Sequence, residues 1–409
     1  MNYLCCKYKY FDYHIKILIS LFRETHQKVL IWEKVHNLVC KKTIMELIRR
    51  DFGCLRDFRV LGRVDYDLLD IIFMSICAVI CGEDDYVGIW DWSCDNEDWL
   101  RQHLVLENGI PSHDTFRRVF QFLDYESFSK CFVNFTRDFC ELRLGEVVSI
   151  DGKCLRGSKD KSLGKKGIYM VGAWANAAGL LLGQVKVDDK SNEITAIPKL
   201  LGLLVLKGCT ITIDSMGCQK AIASAIIEKE ADYILALKGN QKLLEEQVER
   251  SFHCEEVEDS FTTEEKSHGR LETRKCEVIS DLKWIEEANE WKNLSAIVKI
   301  TAQRTIISEQ KTSTEVRYFI ASQAFTAAQM LNFIRSHWGI ENNLHWTLDV
   351  AFNEDNNRNR KDNSAQNFSF LNRIALNLLK KENTKISIKR KRNRANRSSE
   401  FLEKILRVE

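Results

Sequence analysis

The chain has 409 residues, with 60 Lys and Arg against 58 Asp and Glu, a formal net charge of +2 and 44% hydrophobic residues. That length supports two or three domains and a large core, and the near-balanced charge excludes a uniformly basic coat, so affinity for an anionic partner has to come from local patches. The 14 cysteines are scattered with no Cys-x-x-Cys pair, which excludes a zinc ribbon and reads as reduced thiols of a cytoplasmic protein.

Residues 1–44 are rich in Lys, Tyr and Cys without a clear plan and read as a poorly defined extension. From Met45 the pattern becomes amphipathic, and 45–143 is expected to be helical. Within it "LLDIIFMSICAVIC" (68–81) contains Asp70 and runs into Glu83-Asp84-Asp85. It is too short to span a bilayer and fits a buried core helix, so no membrane partner is expected. In "NGIPSHDTFRRVFQFL", Gly109 and Pro111 mark a turn and Ser112 or Asp114 can cap. Phe116, Val119, Phe120 and Leu123 then recur at helical spacing.

Near residue 145 the period changes to that of strands. "EVVSID" alternates and stops at Gly152, and "IYMVGAWAN" and "LLLGQVKV" read as a hairpin. A helix ("EITAIPKLLGLL"), a strand ("CTITID"), a helix ("CQKAIASAIIEKE"), a strand ("DYILALK") and a helix ("QKLLEEQVERSF") follow. The series describes an α/β fold, a mixed sheet flanked by helices. Residues 255–322 break the rhythm with charged, strand-like segments and read as a β-rich insertion. A long helix over 324–350 comes next, then from 365 a further helix and the basic stretch "KISIKRKRNRANR". That stretch is either a solvated segment or a phosphate contact through Lys389, Arg390, Lys391 and Arg392.

The acids carry the chemistry. "VVSID" (147–151) and "TITID" (210–214) each place a Ser or Thr two residues before a terminal Asp, so Ser149 and Asp151 share a face, as do Thr212 and Asp214. On the late helix, Leu331, Ile334, Trp338, Glu341, His345 and Leu348 recur at steps of 3 and 4, which predicts one buried face with a glutamate in it. An Asp at a strand end often only starts a turn. Two such strands and a sheet-facing Glu341, however, are expected to converge in one acidic pocket. Three ionised carboxylates stay together only if a cation neutralises them, and hard oxygen donors suit a two-ion Mg²⁺ (or Mn²⁺) site. Lys153 and Arg156 follow the first aspartate, Lys238 ends a strand, and Arg335 and His337 precede the glutamate. Each is either a solvated charge or a grip on an anionic substrate.

From about residue 45 onward the sequence resembles the bacterial insertion-sequence DDE transposases, in the branch of the H-repeat-associated proteins. The resemblance rests on "NGIPSHDTFRRVF", "SIDGKCLRGS", "ITIDSMGCQ", "LALKGNQ", "HGRLETR" and "HWGIENNLHWTLDVAFNED", in that order. It implies an RNase H-like catalytic domain (144–364) with its β-rich insertion before the last helix, a helical transposase-associated domain (45–143) and a helical, basic tail (365–409). It also implies Asp151, Asp214 and Glu341 as catalytic and metal-binding acids. The expected partners are DNA, as transposon ends and target, and further copies of the chain as a homo-oligomer on that DNA, in the bacterial cytoplasm and at the nucleoid. Asn240, His345 and the insertion's His268, Arg270 and Arg274 join the expected DNA contacts, with a structural ion pair to Glu272 as the other reading of the last three. A Tyr/Arg/Lys signature of related families is replaced here by Ile334, His337 and Leu348. The competing reading is a catalytically inactive, DNA-binding remnant.

Overall fold

The computed structural model describes residues 43–407 apart from 61, 63, 139, 141, 161, 163, 189–191 and 268. The expected extension over 1–44 therefore lies almost wholly outside the described residues. Helices α1 (Ile44–Phe52), α2 (Leu68–Cys81), α3 (Tyr86–Asp95), α4 (Glu97–Leu100), α5 (His113–Phe122) and α6 (Tyr125–Arg137) occupy the first third of the chain. Their starts follow side-chain caps: Thr43 forms a capping box with Glu46, and Asp67, Asp85, Ser112 and Asp124 each accept from backbone N–H groups. α2 is buried along nearly its whole length, with only Leu69 and Asp70 partly exposed. Among the described residues no helix is long and apolar enough to cross a membrane.

The sheet is built from β1 (Val147–Leu155), β2 (Ile168–Ala175), β3 (Leu180–Lys186), β4 (Thr210–Ile213), β5 (Asp232–Ala236), β6 (Asp259–Ser267), β7 (Arg270–Ile279), β8 (Ala296–Ile306) and β9 (Lys311–Ala321). Their order is β3-β2-β1-β4-β5-β9-β8-β7-β6. β4 lies parallel to β1 and β5, whereas β2 and β3 form the expected hairpin. The first five strands give the mixed α/β arrangement of an RNase H-like fold. The strands after residue 255 are β, as expected, but they extend the same sheet, because β9 pairs with β5. Helices α7 (Glu193–Leu203), α8 (Lys220–Glu228) and α9 (Lys242–Cys254) connect the strands.

The late helix is not continuous. α10 (Ala327–Ser336) starts at a Thr326–Gln329 capping box and is followed by a short helical turn (Trp338–Ile340), a π-turn over Glu341–His345, and α11 (Trp346–Phe352). Asn353, in the left-handed region at φ 53°, ends it. The helix is interrupted at His337, ahead of the π-turn, so the buried positions run Leu331, Ile334, Ile340, Leu344 and Leu348, while Trp338 and Glu341 face outward. The expectation that Glu341 sits on the buried face is thus corrected: a strict 3.6-residue period holds only within one continuous helix, and this one is broken at His337.

α12 (Ser364–Lys381) is the central post of the helical layer, buried from Ser364 to Leu379. It packs against α2 and α6, where Phe370 meets Phe128 with ring centroids 5.5 Å apart. The basic stretch forms α13 (Ile388–Arg397), followed by α14 (Ser399–Leu406). Lys391 and Arg392 are buried, with only 4% and 3% of their surface exposed. The Lys391 ammonium donates to Leu379 O at the end of α12, at 2.8 Å. The Arg392 guanidinium donates twice to Val79 O near the end of α2 and lies over the Phe352 ring. Free carbonyls at a helix C-terminus attract cations, and that use withdraws Lys391 and Arg392 from the expected phosphate contacts. Lys389 and Arg390 on the same helix remain exposed.

Candidate active site

Parallel pairing of Ser149 with Thr212 and of Ile150 with Ile213 carries one step further to set Asp151 beside Asp214. Ser149, Asp151 and Lys153 alternate onto one face of β1, and each meets the late helix. The Ser149 hydroxyl lies 3.5 Å from Ser336 O, Asp151 Oδ2 lies 3.5 Å from His345 Nδ1, and Lys153 Nζ lies 2.6 Å from both Asp349 oxygens. The repeated hydroxyl two residues before each aspartate has a physical role. Thr212 donates to Ser149 at 3.0 Å and lies 3.1 Å from His337 Nδ1, and Asn176 donates to Ser149 at 2.8 Å. This buried polar chain fastens α10 to the sheet just before Glu341.

Asp214 ends β4 and caps the turn that follows, accepting from Met216 and Gly217 N–H. A fourth acid, absent from the sequence reading, reaches the same edge. Glu193 opens α7, and a Cβ added to Gly152 would collide with its carboxylate. The Asp151 carboxyl is pushed up to about 7, first by burial and then by the negative charges of Asp214, Glu193 and Glu341. Burial, with Asp214 beside it, also raises Glu193. Burial together with the nearby Lys153 and Arg373 charges pushes His345 down to about 3, so its imidazole beside Asp151 is neutral at pH 7.

Several acids elsewhere are ion-paired, whereas the buried Glu146 accepts from Ala177 N–H. Glu354 pairs with Arg373, Glu382 with Lys391 and Lys404, and the half-buried Asp349 with Lys153. No Lys or Arg is paired with Asp151, Asp214, Glu193 or Glu341 among the described residues. An all-oxygen donor set without side-chain counter-ions fits a hard divalent cation. Among the described residues, however, no three His, Cys, Asp or Glu side chains stand close enough to form a ready-made metal cage, so the acids share one electrostatic field without meeting at a common point.

The remaining candidates divide by environment. Exposed Arg156 and Lys238 flank the acidic edge, and Asn240 donates to Ser215 O in the turn after Asp214 at 2.7 Å. Lys153, at 8% exposure and bonded to Asp349, is an internal ion-pair partner and not a surface contact. His337 is likewise directed at Thr212, because the buried hydroxyl needs a partner. Arg274 makes ion pairs with Glu272 and Glu265, which is the ion-pair reading of the insertion strand, and Glu265 also holds Arg335 at 2.7 Å. Arg270 is exposed at the start of β7, and His268 lies outside the described residues. Between β7–β9 and α10 lies a cleft of about 600 Å³ beside Glu341, lined by residues that include Arg274, Arg304, Arg317, Arg335 and Trp338.

Comparison with known proteins places this geometry. Residues 143–378 match the family model of the transposase DDE domain, and residues 50–136 match a model described as DDE_Tnp_1-associated. The chain is 42% identical over 358 residues to the putative transposase YncI of Escherichia coli O157:H7, covering 86% of this chain and 92% of the relative. It is 40% identical over 375 residues to the H repeat-associated putative transposase YhhI of Escherichia coli K12, covering 89% and 98%. It also resembles the inactive transposase YbfQ of that strain, at 43% identity over 63 residues, 15% of this chain and 75% of the relative.

Proposed function

The chain belongs to the DDE-domain transposase family, and from that premise we propose that it cuts DNA at the ends of a mobile element and joins them to target DNA, using Asp151, Asp214 and Glu341. The observation that carries this reading is that β1 and β4, paired in parallel, set Asp151 and Asp214 side by side with no Lys or Arg paired to either among the described residues, and that the charge of Glu341 reaches Asp151 from the late helix. Residues 144–364 would form the catalytic unit and 45–143 its helical associate. Two strand ends have to be held at once, so the working form is a homo-oligomer on DNA, acting in the bacterial cytoplasm.

Asp151, Asp214 and Glu341 are the residues that would hold Mg²⁺ or Mn²⁺. Such ions, when bound, activate the attacking oxygen and stabilise the leaving oxygen of a phosphodiester. In cleavage a water oxygen bonds to phosphorus, the P–O3′ bond breaks and the 3′-oxygen leaves with a proton. In joining, that 3′-hydroxyl oxygen bonds to the phosphorus of a target phosphodiester, the P–O3′ bond of the target breaks, and the target's 3′-oxygen leaves with the proton. The protein's own contribution is placement. Thr212, Ser149 and His337 fix α10, and Lys153 fixes α11 through Asp349. Glu341 is thereby held at the acidic edge while the exposed cations Arg156, Lys238, Arg270, Lys389 and Arg390 supply phosphate contacts.

The test is cleavage of DNA carrying the element's ends, with Mg²⁺. Glu341→Gln is expected to lower the rate by about 10³-fold or more, since several kcal/mol of transition-state stabilisation depend on the ion's ligands. Equal cleavage by variant and wild type would remove Glu341 from the mechanism, and no wild-type cleavage above background would favour the inactive-remnant reading, which the named inactive relative illustrates for a short stretch of the chain.

A phosphate contact has its own signature. Lys238→Ala is expected to weaken DNA binding at every sequence alike and to flatten the slope of log K against log salt by about one. Filter binding from low to high salt reads both effects, and an unchanged slope removes Lys238 from the DNA path.

A further inference from the structure

Two cysteines that lie 77 residues apart in the chain meet in the helical layer, with Cys54 Sγ 3.7 Å from Cys131 Sγ. Cys54 sits in the turn directly after α1 and is exposed, whereas Cys131 lies in the middle of α6 and is only 1% exposed. Their approach is set by the packing around them. Phe52, at the end of α1, meets Phe128 and Phe135 of α6 with ring centroids 5.5 and 5.7 Å apart, and Arg50 pairs with Asp138 just beyond α6. These contacts fix the end of α1 on α6, so the two thiols are held together by the fold and need no chance collision to meet. A disulfide requires about 2.05 Å between sulfurs, and the remaining closure falls to Cys54, which stands outside the helix.

We propose that Cys54 and Cys131 form a peroxide-responsive dithiol, whose oxidation closes an internal disulfide that clamps α1 onto α6. The inference is independent of the acid site. Hydrogen peroxide is the co-reactant, and it meets Cys54 first because Cys131 is buried. The Cys54 sulfur bonds to one peroxide oxygen, the O–O bond breaks, and the other oxygen leaves as water with the thiol proton, giving a sulfenic acid. The Cys131 sulfur then bonds to the Cys54 sulfur, the S–O bond breaks, and that oxygen leaves as a second water with the Cys131 proton. Two thiols have lost two electrons and one peroxide has gained them. Burial pushes the Cys131 thiol up, and its contact with Cys54 adds to this, so Cys131 is a poor nucleophile except toward a sulfur already beside it. The new bond joins positions 77 residues apart, and a cross-link over so long a loop removes much of the freedom of the unfolded chain.

The test is mass spectrometry of the full-length, reduced protein after exposure to hydrogen peroxide, with the remaining thiols alkylated in denaturant before digestion. The expected product is a linked Cys54–Cys131 peptide, lighter than its two parts by two hydrogens and separated again by dithiothreitol. The oxidised protein should melt about 3–6 °C above the reduced one, and Cys54→Ser should lose both the linked peptide and the rise in Tm. In Cys131→Ala the Cys54 sulfenic acid should persist long enough to be captured by dimedone. Wild-type Cys54 recovered as sulfinic acid, or linked to a second chain, beside an alkylated Cys131 would overturn the pairing. A linked peptide with no rise in Tm would overturn the clamp.

Discussion

Asp151→Asn is expected to abolish cleavage and, in metal-free buffer at pH 8, to make the protein more stable than wild type. Burial and three neighbouring acids hold the Asp151 carboxyl up to about 7 in the folded chain, against about 3.9 when unfolded. The folded state therefore binds this proton more tightly than the unfolded state does. Between those two values the unfolded chain has released its proton while the folded one retains it, so this group's contribution to stability falls as pH rises. The loss is complete above about pH 7 and absent below about pH 4. Asparagine has no proton to release. Its gain at pH 8 is roughly 2–4 kcal/mol, a rise in Tm of about 3–6 °C for a chain of this size, and the gain should shrink as the pH is lowered toward 4. Melting curves in chelator across that range, beside a cleavage assay at pH 8, check both halves. An aspartate present only to hold the strand end would behave oppositely, with the variant less stable at every pH. A lowered Tm at pH 8 would therefore remove Asp151 from the ion site.

The parts of this site that could be read from sequence are those set by strand register. "VVSID" and "TITID" alternate in phase, so once β1 and β4 pair in parallel their aspartates must lie side by side. The hydroxyls two residues earlier could be noticed in the same way, although their role in fastening α10 needed His337 in place. Three features could not be read. The helix break at His337 moves Glu341 off the buried face, and a period of 3.6 residues per turn assumes a helix without interruption. Glu193 matters because a helix on one sheet face reaches through a gap at Gly152; its only trace in the sequence is a glycine directly after an aspartate. Lys391 and Arg392 looked like an unbalanced basic stretch because what they neutralise is not a run of acids. Their partners include helix-end carbonyls at Leu379 and Val79, the latter more than 300 residues away, as well as Glu382 and Asp84.

The other large effect concerns the exit of the Glu341 helix. Glu354 lies in the turn just after Asn353, and its carboxylate is held by the Arg373 guanidinium of α12, with Asn372 also donating to it. The two charged side chains are 3% and 2% exposed. Two ions taken out of water are stable there only as a pair, and removing one leaves the full desolvation cost of the other. Glu354→Ala is therefore expected to cost about 3–5 kcal/mol, among the largest single-residue losses available in this chain, although Glu354 belongs to none of the proposed ion ligands. Replacing both partners with methionine removes the charges without leaving one stranded, and is expected to restore at least half of that loss. Denaturant unfolding of the single and double variants distinguishes the cases. A cost below about 1 kcal/mol for Glu354→Ala would mean that solvent reaches Arg373 and that the pair does not anchor the turn. Where the pair does act as an anchor, cleavage should fall in the single variant in step with the folded fraction and return in the double. Lys153–Asp349 and the His337–Thr212 contact still hold the Glu341 segment on either side.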